Sequence, residues 1–256
     1  MEKKIKIAAV GDNCVDAYDQ TGGAFPGGNP VNVAVYAVRL GGEASYTGVV
    51  GDDAYGKLMK ESIAKKGVDI SHLKVMPGST AVTHVEIIDG ERILGDYEEG
   101  VMADFKLSEE DIEFLGSHDL VVSGIWGMIE NDLEKIKACG TKIAFDFATK
   151  YESPVIEIAI PFVDYAFFAY DGEDEEWMRN FMEEMQEREQ RQSSLPEAQK
   201  EALLMTAQVI RSLGLFHAMS WIRWEPVTAS LQAFYMVSYR ENHYRKVWNR
   251  EQKTAV

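Results

Sequence analysis

Short apolar runs alternate with amphipathic helical patterns over roughly the first 185 residues of the chain. The apolar runs are rich in β-branched residues, which favours strands, whereas the intervening segments repeat apolar residues every three or four positions, which favours helices. Strand–helix–strand order requires crossover connections, so it predicts an α/β fold with a mainly parallel sheet. The predicted strands are Ile5–Val10, Ala44–Val50, Leu120–Gly124, Lys142–Phe147 and Val163–Ala169. The predicted helices are Pro30–Leu40, Ala54–Lys66, Ser108–Leu115, Asn131–Cys139 and Glu173–Met185.

One pair of apolar runs departs from this order. Thr80–Ile88 and Arg92–Gly95 alternate apolar and polar residues and lie on either side of Asp89-Gly90. An Asp-Gly pair between alternating runs is typical of a two-residue hairpin turn. We therefore predict an antiparallel hairpin here, which could form a lid.

Composition changes near residue 188. Residues 1–187 carry 36 acidic and 16 basic side chains, whereas residues 188–256 carry 6 and 10. Aspartate does not occur after Asp174, and Gly214 is the only glycine beyond position 188, although turns of an α/β domain depend on both residue types. We therefore predict one domain over 1–187 and an unrelated tail over 188–256. The tail shows a helical pattern at Pro196–Leu213 and is otherwise expected to have little regular structure.

Charge and cysteine content narrow the classes of partner. The net charge of −16 disfavours nucleic acid and anionic membrane surfaces, so a small molecule is the expected partner. No run approaches the roughly 18 apolar residues of a membrane span, and the cytoplasm is the expected location. Cys14 and Cys139 lie far apart without a ligand cluster, so we expect two buried free thiols rather than a disulfide or a zinc site.

A glycine pair before a predicted helix marks the first candidate site. Gly27–Ala34 reads Gly-Gly-Asn-Pro-Val-Asn-Val-Ala, and paired glycines allow backbone amides and a short polar side chain to approach a ligand closely. Gly41 and Gly51 follow at the spacings of the first ribokinase-family signature, and Val50–Gly56 resembles the Val-Gly-x-Asp-x-x-Gly element that follows it. Because these matches occur in order, the chain resembles the ribokinase (PfkB) family of carbohydrate kinases.

Three further segments resemble the fructoselysine 6-kinase group of that family. They are Gly11–Asp16, Gly95–Phe105 and Ala144–Phe147, and the whole resemblance extends from about residue 5 to about residue 185. It implies a ribokinase-like three-layer α/β sandwich with a mainly parallel central sheet and a small β lid, in which the carboxy-terminal part is incomplete.

The resemblance also implies roles for four residues. Asp16 and Asn32 are expected to bind sugar hydroxyls, and Gly27 and Gly28 are expected to shape the floor of the sugar site. An ordinary turn or cap role is the alternative for Asp16.

The lid and the cofactors follow from the same resemblance. Lid strands are expected near 17–25 and 78–100, and a homodimer through the lid is a possible assembly because lid strands often mediate dimers in this family. The implied substrate is a sugar or sugar-amine, and the implied cofactors are ATP and Mg²⁺.

The chain departs from the family at a magnesium-linked element. Many members carry Asn-x-x-Glu where this chain has Phe168–Glu176, and no Asn is evident there. Glu173 or Glu176 could serve instead, although acidic residues that complement the dipole of a helix in its first turn are the simpler interpretation.

A second departure concerns the catalytic base. Family members carry a late Asp-Thr-x-Gly-Ala-Gly-Asp motif, whose final Asp acts as general base and whose glycine amides stabilise the transferred phosphoryl charge. Neither a Gly-Ala-Gly-Asp sequence nor a P-loop occurs in this chain. No catalytic residue is therefore assigned.

A change of reading frame offers one explanation of the tail. With suitable codons, Trp221–Phe234 reads in a frame shifted by one base as Asp-Thr-Met-Gly-Ala-Gly-Asp-Ser-Phe-Ile-Ala-Gly-Phe, which resembles the missing motif. Glu201–Ala207 reads likewise as Ser-Ile-Ala-Tyr-Asp-Gly, similar to a family element ahead of the nucleotide site. A frame slip near Glu187 or Arg188 would explain together the charge reversal, the scarcity of Asp and Gly, and the absent motif.

Two functions are consistent with these observations. The first is an ATP-dependent sugar kinase that phosphorylates the 6-hydroxyl of fructoselysine or a similar sugar-amine, with negligible activity in this chain because the late motif is missing. The second is a non-catalytic sugar-binding or dimerising fragment, because the glycine-rich floor and the lid hairpin are intact. Sugar binding without turnover would favour the second function.

Overall fold

Two β-sheets of unequal size form the framework of the protein. The computed structural model describes residues 4–88, 91–170, 176–177, 180–181, 183–185 and 233–237. In chain order the strands are β1 (Lys6–Val10), β2 (Cys14–Tyr18), β3 (Gly23–Gly27), β4 (Glu43–Gly51), β5 (Leu73–Met76), β6 (Val82–Ile88), β7 (Glu91–Glu98), β8 (Leu120–Gly124), β9 (Lys142–Asp146), β10 (Tyr165–Tyr170) and β11 (Ala233–Val237).

The larger sheet has the strand order β11-β10-β9-β8-β1-β4-β5. The six strands from β10 to β5 are parallel, and β11 pairs with β10 in the antiparallel direction. Strand β1 lies between β4 and β8, where Ile7 is paired with Ala44 on one side and Leu120 on the other. The carboxyl end of β1 therefore lies at the middle of the sheet edge where ligands bind in open α/β sheets.

Helices cover both faces of this sheet. The described part of the chain includes the α-helices α1 (Asn29–Arg39), α2 (Ala54–Lys65), α3 (Glu109–Gly116), α4 (Leu133–Ala138) and α5 (Val155–Ala159). Short 3₁₀ helices occupy Gly100–Asp104, Glu130–Asp132 and Ile160–Phe162.

Alternate side chains of β1 face two different hydrophobic cores. Ala8 and Val10 point to a core shared with α3, α4 and α5, whereas Ile7 and Ala9 point to a core shared with α1 and α2. Parallel strands that are covered on both faces must be apolar throughout, which explains the continuous apolar run of β1. The arrangement is a three-layer α/β sandwich of the predicted class.

The smaller sheet forms the predicted lid, with the strand order β3-β2-β6-β7. Strand β2 is antiparallel to β3 and parallel to β6, and β6 and β7 form the antiparallel hairpin with an irregularity between Thr83 and Val85. Strand β2 begins four residues after the end of β1. The lid is therefore attached directly to the carboxyl edge of the larger sheet.

The predicted elements of the first 170 residues are confirmed, with boundaries that differ by a few residues. Ser108 caps α3 as expected, because its hydroxyl accepts from the Asp111 amide at 3.2 Å while Asp111 accepts from the Ser108 amide at 2.8 Å. Strand β5 was not predicted, since four residues are too short to show a period.

Several sequence predictions fall wholly or partly outside the described residues. The Asp89-Gly90 turn and the tail helix at Pro196–Leu213 lie outside, and Glu173–Met185 is described as helical only at 176–177, 180–181 and 183–185.

Within the tail, the structure describes only strand β11, whose backbone pairs with the edge of β10. One expectation is wrong. Cys14 is only half-buried and Cys139 is exposed, because Cys139 follows the last turn of α4. Among the described residues, no helix is long and apolar enough to span a bilayer.

Candidate functional site

The candidate site lies where the chain leaves β1 and enters the lid. Asp16 is in the middle of β2, opposite Phe25 of β3 and Thr83 of β6, so these three side chains share one face of the lid. The thiol of Cys14 donates to Oδ1 of Asp16 at 3.8 Å. Burial raises the pKa of Cys14 to about 12, which keeps the sulfur a neutral donor.

Two glycines allow the backbone to approach this face closely. Gly28 has a φ of +103°, and a Cβ there would lie 2.7 Å from Cα of Asn13 and 2.8 Å from the carbonyl oxygen of Asp12. A Cβ on Gly27 would lie 3.3 Å from Oδ2 of Asp16. A side chain at position 28 would clash with the backbone of Asp12 and Asn13 and would require an unfavourable φ. Only glycine therefore fits there.

Asn32 lies in the first turn of α1, which begins directly after these glycines. The backbone amide of Asn32 donates to the carbonyl oxygen of Gly28 at 3.1 Å. Pro30 lies in the same turn, where a fixed φ favours helix initiation. The structure thus places Gly27 beside Asp16, and Asn32 is bonded through its backbone to Gly28 at the start of α1.

Two acidic side chains meet at the start of α1. Asp12 follows β1, and Asp146 is the last residue of β9. The backbone amide of Asn29 donates to Oδ2 of Asp12 at 3.3 Å, and its side-chain amide donates to Oδ2 of Asp146 at 2.6 Å. Oδ1 of Asp146 accepts from the Ala148 amide at 2.8 Å. Asn29 therefore bridges two carboxylates from different strands.

Asp12 is electrostatically unfavourable in this position. Its Oδ1 atom is buried and has no hydrogen-bond partner. Burial raises the pKa of Asp12 to about 6, with a further contribution from the charge of Asp146, and the Asn29 amide opposes this change. A carboxylate held in this way is favoured to accept a donor or a positive charge from a ligand.

A buried network holds the backbone on which Asp12 lies. The Tyr46 hydroxyl donates to the carbonyl oxygen of Gly11 at 2.7 Å. The side-chain amide of Asn13 donates to the Tyr46 hydroxyl at 2.9 Å and to the carbonyl oxygen of Val49 at 2.8 Å. Asn13 and Tyr46 are almost inaccessible to solvent. Asp12 is consequently carried by a segment that is fixed on both sides.

An exposed tryptophan lies in the loop after β8, the strand between β1 and β9. The Ile125 amide donates to the carbonyl oxygen of Asp146 at 2.8 Å, and Gly127 packs so closely that a Cβ on Gly11 would lie 2.5 Å from its Cα. Trp126, between these two contacts, is 58% exposed. The Lys150 ammonium lies 5.3 Å from the centroid of its ring, which is within cation–π distance.

Backbone strain occurs in the loops that follow β8 and β9. Met128 and Ala148 have φ values of +54° and +51°, which non-glycine residues seldom adopt. Met128 follows β8 and Ala148 follows β9, beside Trp126 and Asp146. Such strain persists only where the surrounding structure imposes it, and it is concentrated at functional sites.

The described residues offer no cluster of potential metal ligands. Within that part of the chain, no group of three His, Cys, Asp or Glu side chains is arranged to hold a metal ion. Glu176 is exposed, and Glu173 lies outside the described residues. Because the sequence also lacks the Gly-Ala-Gly-Asp motif, the residues present do not fit ATP and Mg²⁺ as the family would bind them.

Sequence reasoning missed four residues of this site: Asp12, Asn29, Trp126 and Asp146. Asp12 and Asp146 lie inside segments that the sequence singled out, but no role followed from their spacing. One signal was available, because each comes at the carboxyl end of an apolar strand, where side chains of a parallel sheet meet.

The comparison with known families agrees with this geometry. The pattern of the pfkB family carbohydrate kinases matches residues 3–208, which is most of the chain. The chain belongs to the pfkB family of carbohydrate kinases. The matched range ends beyond residue 188, where the composition changes.

Similar proteins include two sugar-amine kinases. The fructoselysine 6-kinase of Escherichia coli (strain K12) is 48% identical over 169 residues, which cover 66% of this chain and 65% of that protein. The fructosamine kinase FrlD of Bacillus subtilis (strain 168) is 35% identical over 170 residues, which cover 64% of this chain and 59% of that protein. The chain thus spans less than two-thirds of the length of these relatives.

Solved structures share the fold at low identity. The Arabidopsis thaliana ribokinase complexed with ribose and ATP has a TM-score of 0.61 and 17% identity, covering 73% of this chain and 70% of that one. The putative ribokinase II from E. coli has a TM-score of 0.56 and 19% identity, covering 72% and 70%. These similarities establish a ribokinase-like fold.

Proposed function

We propose that this chain derives from an ATP-dependent kinase that phosphorylates the 6-hydroxyl of fructoselysine or a similar sugar-amine, and that the chain as written binds the sugar without transferring phosphate. The observation that carries the proposal is the 48% identity with the fructoselysine 6-kinase of E. coli over 169 residues. The close approach of Gly27 to Asp16 and the bond from the Asn32 backbone to Gly28 support it.

In this proposal, the lid face and the start of α1 bind the sugar. Asp16 accepts hydrogen bonds from sugar hydroxyls, and the Asn32 side chain binds a further hydroxyl. Gly27 and Gly28 allow the sugar to lie directly against the backbone, since neither residue carries a side chain in its way. The mixture of a carboxylate, an amide and exposed backbone is typical of a site for a polyhydroxylated ligand.

Phosphoryl transfer is not assigned to residues of this chain. ATP would supply the phosphoryl group in the family reaction, but the general base and the glycine amides that stabilise its charge are missing from the sequence. Removal of one catalytic group commonly lowers turnover by orders of magnitude. We therefore expect negligible kinase activity from the chain as written.

Calorimetry and a coupled kinase assay test the two parts separately. Purified chain of verified mass should bind fructoselysine with a saturable heat signal and should produce ADP no faster than a control without enzyme. Asp16→Asn should weaken binding by about tenfold or more, because a charged hydrogen-bond acceptor is lost. Asp19→Asn is the matched control, since Asp19 is an exposed acid just after β2.

The outcomes of this experiment are distinct. Fructoselysine-dependent ADP formation well above the control would refute the predicted inactivity. A chain that folds but shows no heat of binding would refute the sugar site.

A dimerising sugar-binding fragment is the second candidate function. The hairpin β6–β7 exposes apolar side chains toward its far end, including Ile87, Ile93 and Leu94. Exposed apolar residues on an edge strand favour pairing with another chain. We propose that a second copy of this chain binds there.

We also place the protein in the cytoplasm, where free thiols such as Cys14 and Cys139 persist.

The origin of the tail is tested at the level of the gene. Resequencing the encoding DNA from about codon 175 past the stop should reveal an insertion or deletion near codon 188. Restoring the frame should then produce a complete sugar kinase. A sound frame whose codons do not spell the shifted motif would make the tail a genuine sequence and would favour the fragment.

A further inference from the structure

We propose that Asp12 is a specificity-determining residue that recognises the positively charged nitrogen of an amine-bearing sugar, with Asp146 reinforcing the negative charge and Trp126 covering the same cation. This inference rests on the proposed function, because it names the part of the substrate that distinguishes a sugar-amine from a neutral sugar.

The first argument is position. The backbone of Asp12 and Asn13 packs against Gly28, where a Cβ would approach within 2.8 Å of the Asp12 carbonyl oxygen. Asn29 then joins Asp12 and Asp146 through two hydrogen bonds of 3.3 and 2.6 Å. The carboxylates therefore border the glycine floor of the sugar site. A nitrogen bonded directly to a sugar that rests on this floor would therefore lie close to the two carboxylates.

The second argument is the unfulfilled bonding capacity of Asp12. Its Oδ1 atom is buried without a hydrogen-bond partner, and its Oδ2 atom receives a long contact of 3.3 Å from the Asn29 amide. Asp146 differs, because each of its oxygens accepts a hydrogen bond from the backbone or from Asn29. Asp12 is thus the carboxylate of the pair that a charged donor would stabilise more, whereas Asp146 contributes mainly through its charge.

The third argument is the indole of Trp126. This ring is largely exposed, lies in the loop that contacts both Gly11 and Asp146, and already has the Lys150 ammonium over its face. A ring that attracts one ammonium group can cover the ammonium group of a ligand in its place. An aromatic face in a loop whose backbone contacts Gly11 and Asp146 is chemically suited to an alkylammonium, whereas a neutral hydroxyl would gain little from it.

Calorimetry with three ligands tests the inference. Fructoselysine carries a cationic nitrogen at C1, 1-acetamido-1-deoxyfructose carries a neutral one, and fructose carries none. The wild-type chain should bind fructoselysine about 10- to 100-fold more tightly than either neutral sugar. Asp12→Asn, which keeps the shape and removes the charge, should abolish this preference while binding of the neutral sugars changes little.

Two further variants guard against a structural explanation. Trp126→Leu changes an exposed side chain and should reduce the preference for fructoselysine several-fold without affecting the fold. Glu61→Gln removes the same charge from the exposed face of α2 and should leave all three affinities unchanged. Circular dichroism of each variant verifies that it is folded.

The possible failures are distinguishable. If the wild-type chain binds the three ligands equally, or if Asp12→Asn retains the preference for fructoselysine, the specificity inference is overturned while the sugar site stands. If the chain binds none of the ligands, both the inference and the proposed function are overturned.

Discussion

Asp12 is the residue at which local chemistry opposes folding most clearly. Its pKa is about 6 in the folded protein against an ordinary value of 3.8, chiefly because burial disfavours the charged form. The folded state therefore holds a proton that the unfolded chain releases between about pH 4 and pH 6. The neighbouring Cys14, Tyr46 and Tyr97 have raised pKa values and stay neutral across this interval, and the charge of Asp146 adds to the rise in the pKa of Asp12.

The sign of this linkage gives the first prediction. Below about pH 4 Asp12 costs no stability, and the cost grows as the pH rises to 6 and is complete above it. Asp12→Asn should therefore raise the free energy of unfolding at pH 7 by about 1–3 kcal/mol and have little effect at pH 4. Urea unfolding of both proteins at the two pH values measures the difference. A variant that is less stable than wild type at pH 7 would contradict the prediction.

Gly28 gives a second prediction at the scale of one residue. An alanine there combines a φ of +103° with a clash against the backbone of Asp12 and Asn13. Gly41 has a φ of +91° and empty space around it, so Gly41→Ala measures the conformational cost alone. We expect about 1 kcal/mol of destabilisation for Gly41→Ala and at least about 2 kcal/mol for Gly28→Ala, together with loss of sugar binding. Equal costs in urea unfolding would show that the floor can shift.

At the scale of elements, the sequence predicted what depends on local pattern. The apolar run of β1 and the Ser108 cap of α3 could be recognised because a buried parallel strand and a capping box have local signatures. Strand β5 could not, because it is short and exists through its pairing with β4. The meeting of Asp12 and Asp146 was also beyond local pattern, because it depends on the order of β1, β8 and β9 in the sheet.

The cap of α3 yields a prediction for an element. Ser108→Ala removes the hydroxyl that accepts from the Asp111 amide and donates to the Asp111 carboxylate at 2.7 Å. We expect a loss of about 1 kcal/mol in the free energy of unfolding. Ser117→Ala, at the exposed carboxyl end of the same helix, is the control and should cost less. The prediction fails if the two variants unfold at the same urea concentration.

At the scale of the whole molecule, the lid exposes several large apolar side chains. Leu94 is 62% exposed, and Phe25 on the opposite edge strand is 59% exposed. A surface of this kind favours burial against another chain, and an edge strand offers unpaired backbone groups for the same purpose. The lid is thus the part of the described chain where we expect self-association.

Sedimentation analysis tests this expectation. The wild-type chain should sediment as a concentration-dependent dimer, and Leu94→Asp should shift it toward the monomer by at least about tenfold in dissociation constant. Leu40→Asp is the control, because Leu40 is an exposed leucine at the end of α1 and outside the lid. A monomeric wild-type chain, or equal dissociation by both variants, would rule out the lid as the interface.

The early position of the candidate site in the chain has a consequence during protein synthesis. The acidic pair, the glycine floor, Asn32 and the exposed indole all lie between residues 12 and 146, so a ribosome has joined them before it reaches codon 188. A ligand that binds the folded chain stabilises it by mass action. A nascent chain whose early strands have paired could therefore be captured by its sugar before translation reaches the tail, whichever reading frame the ribosome then follows.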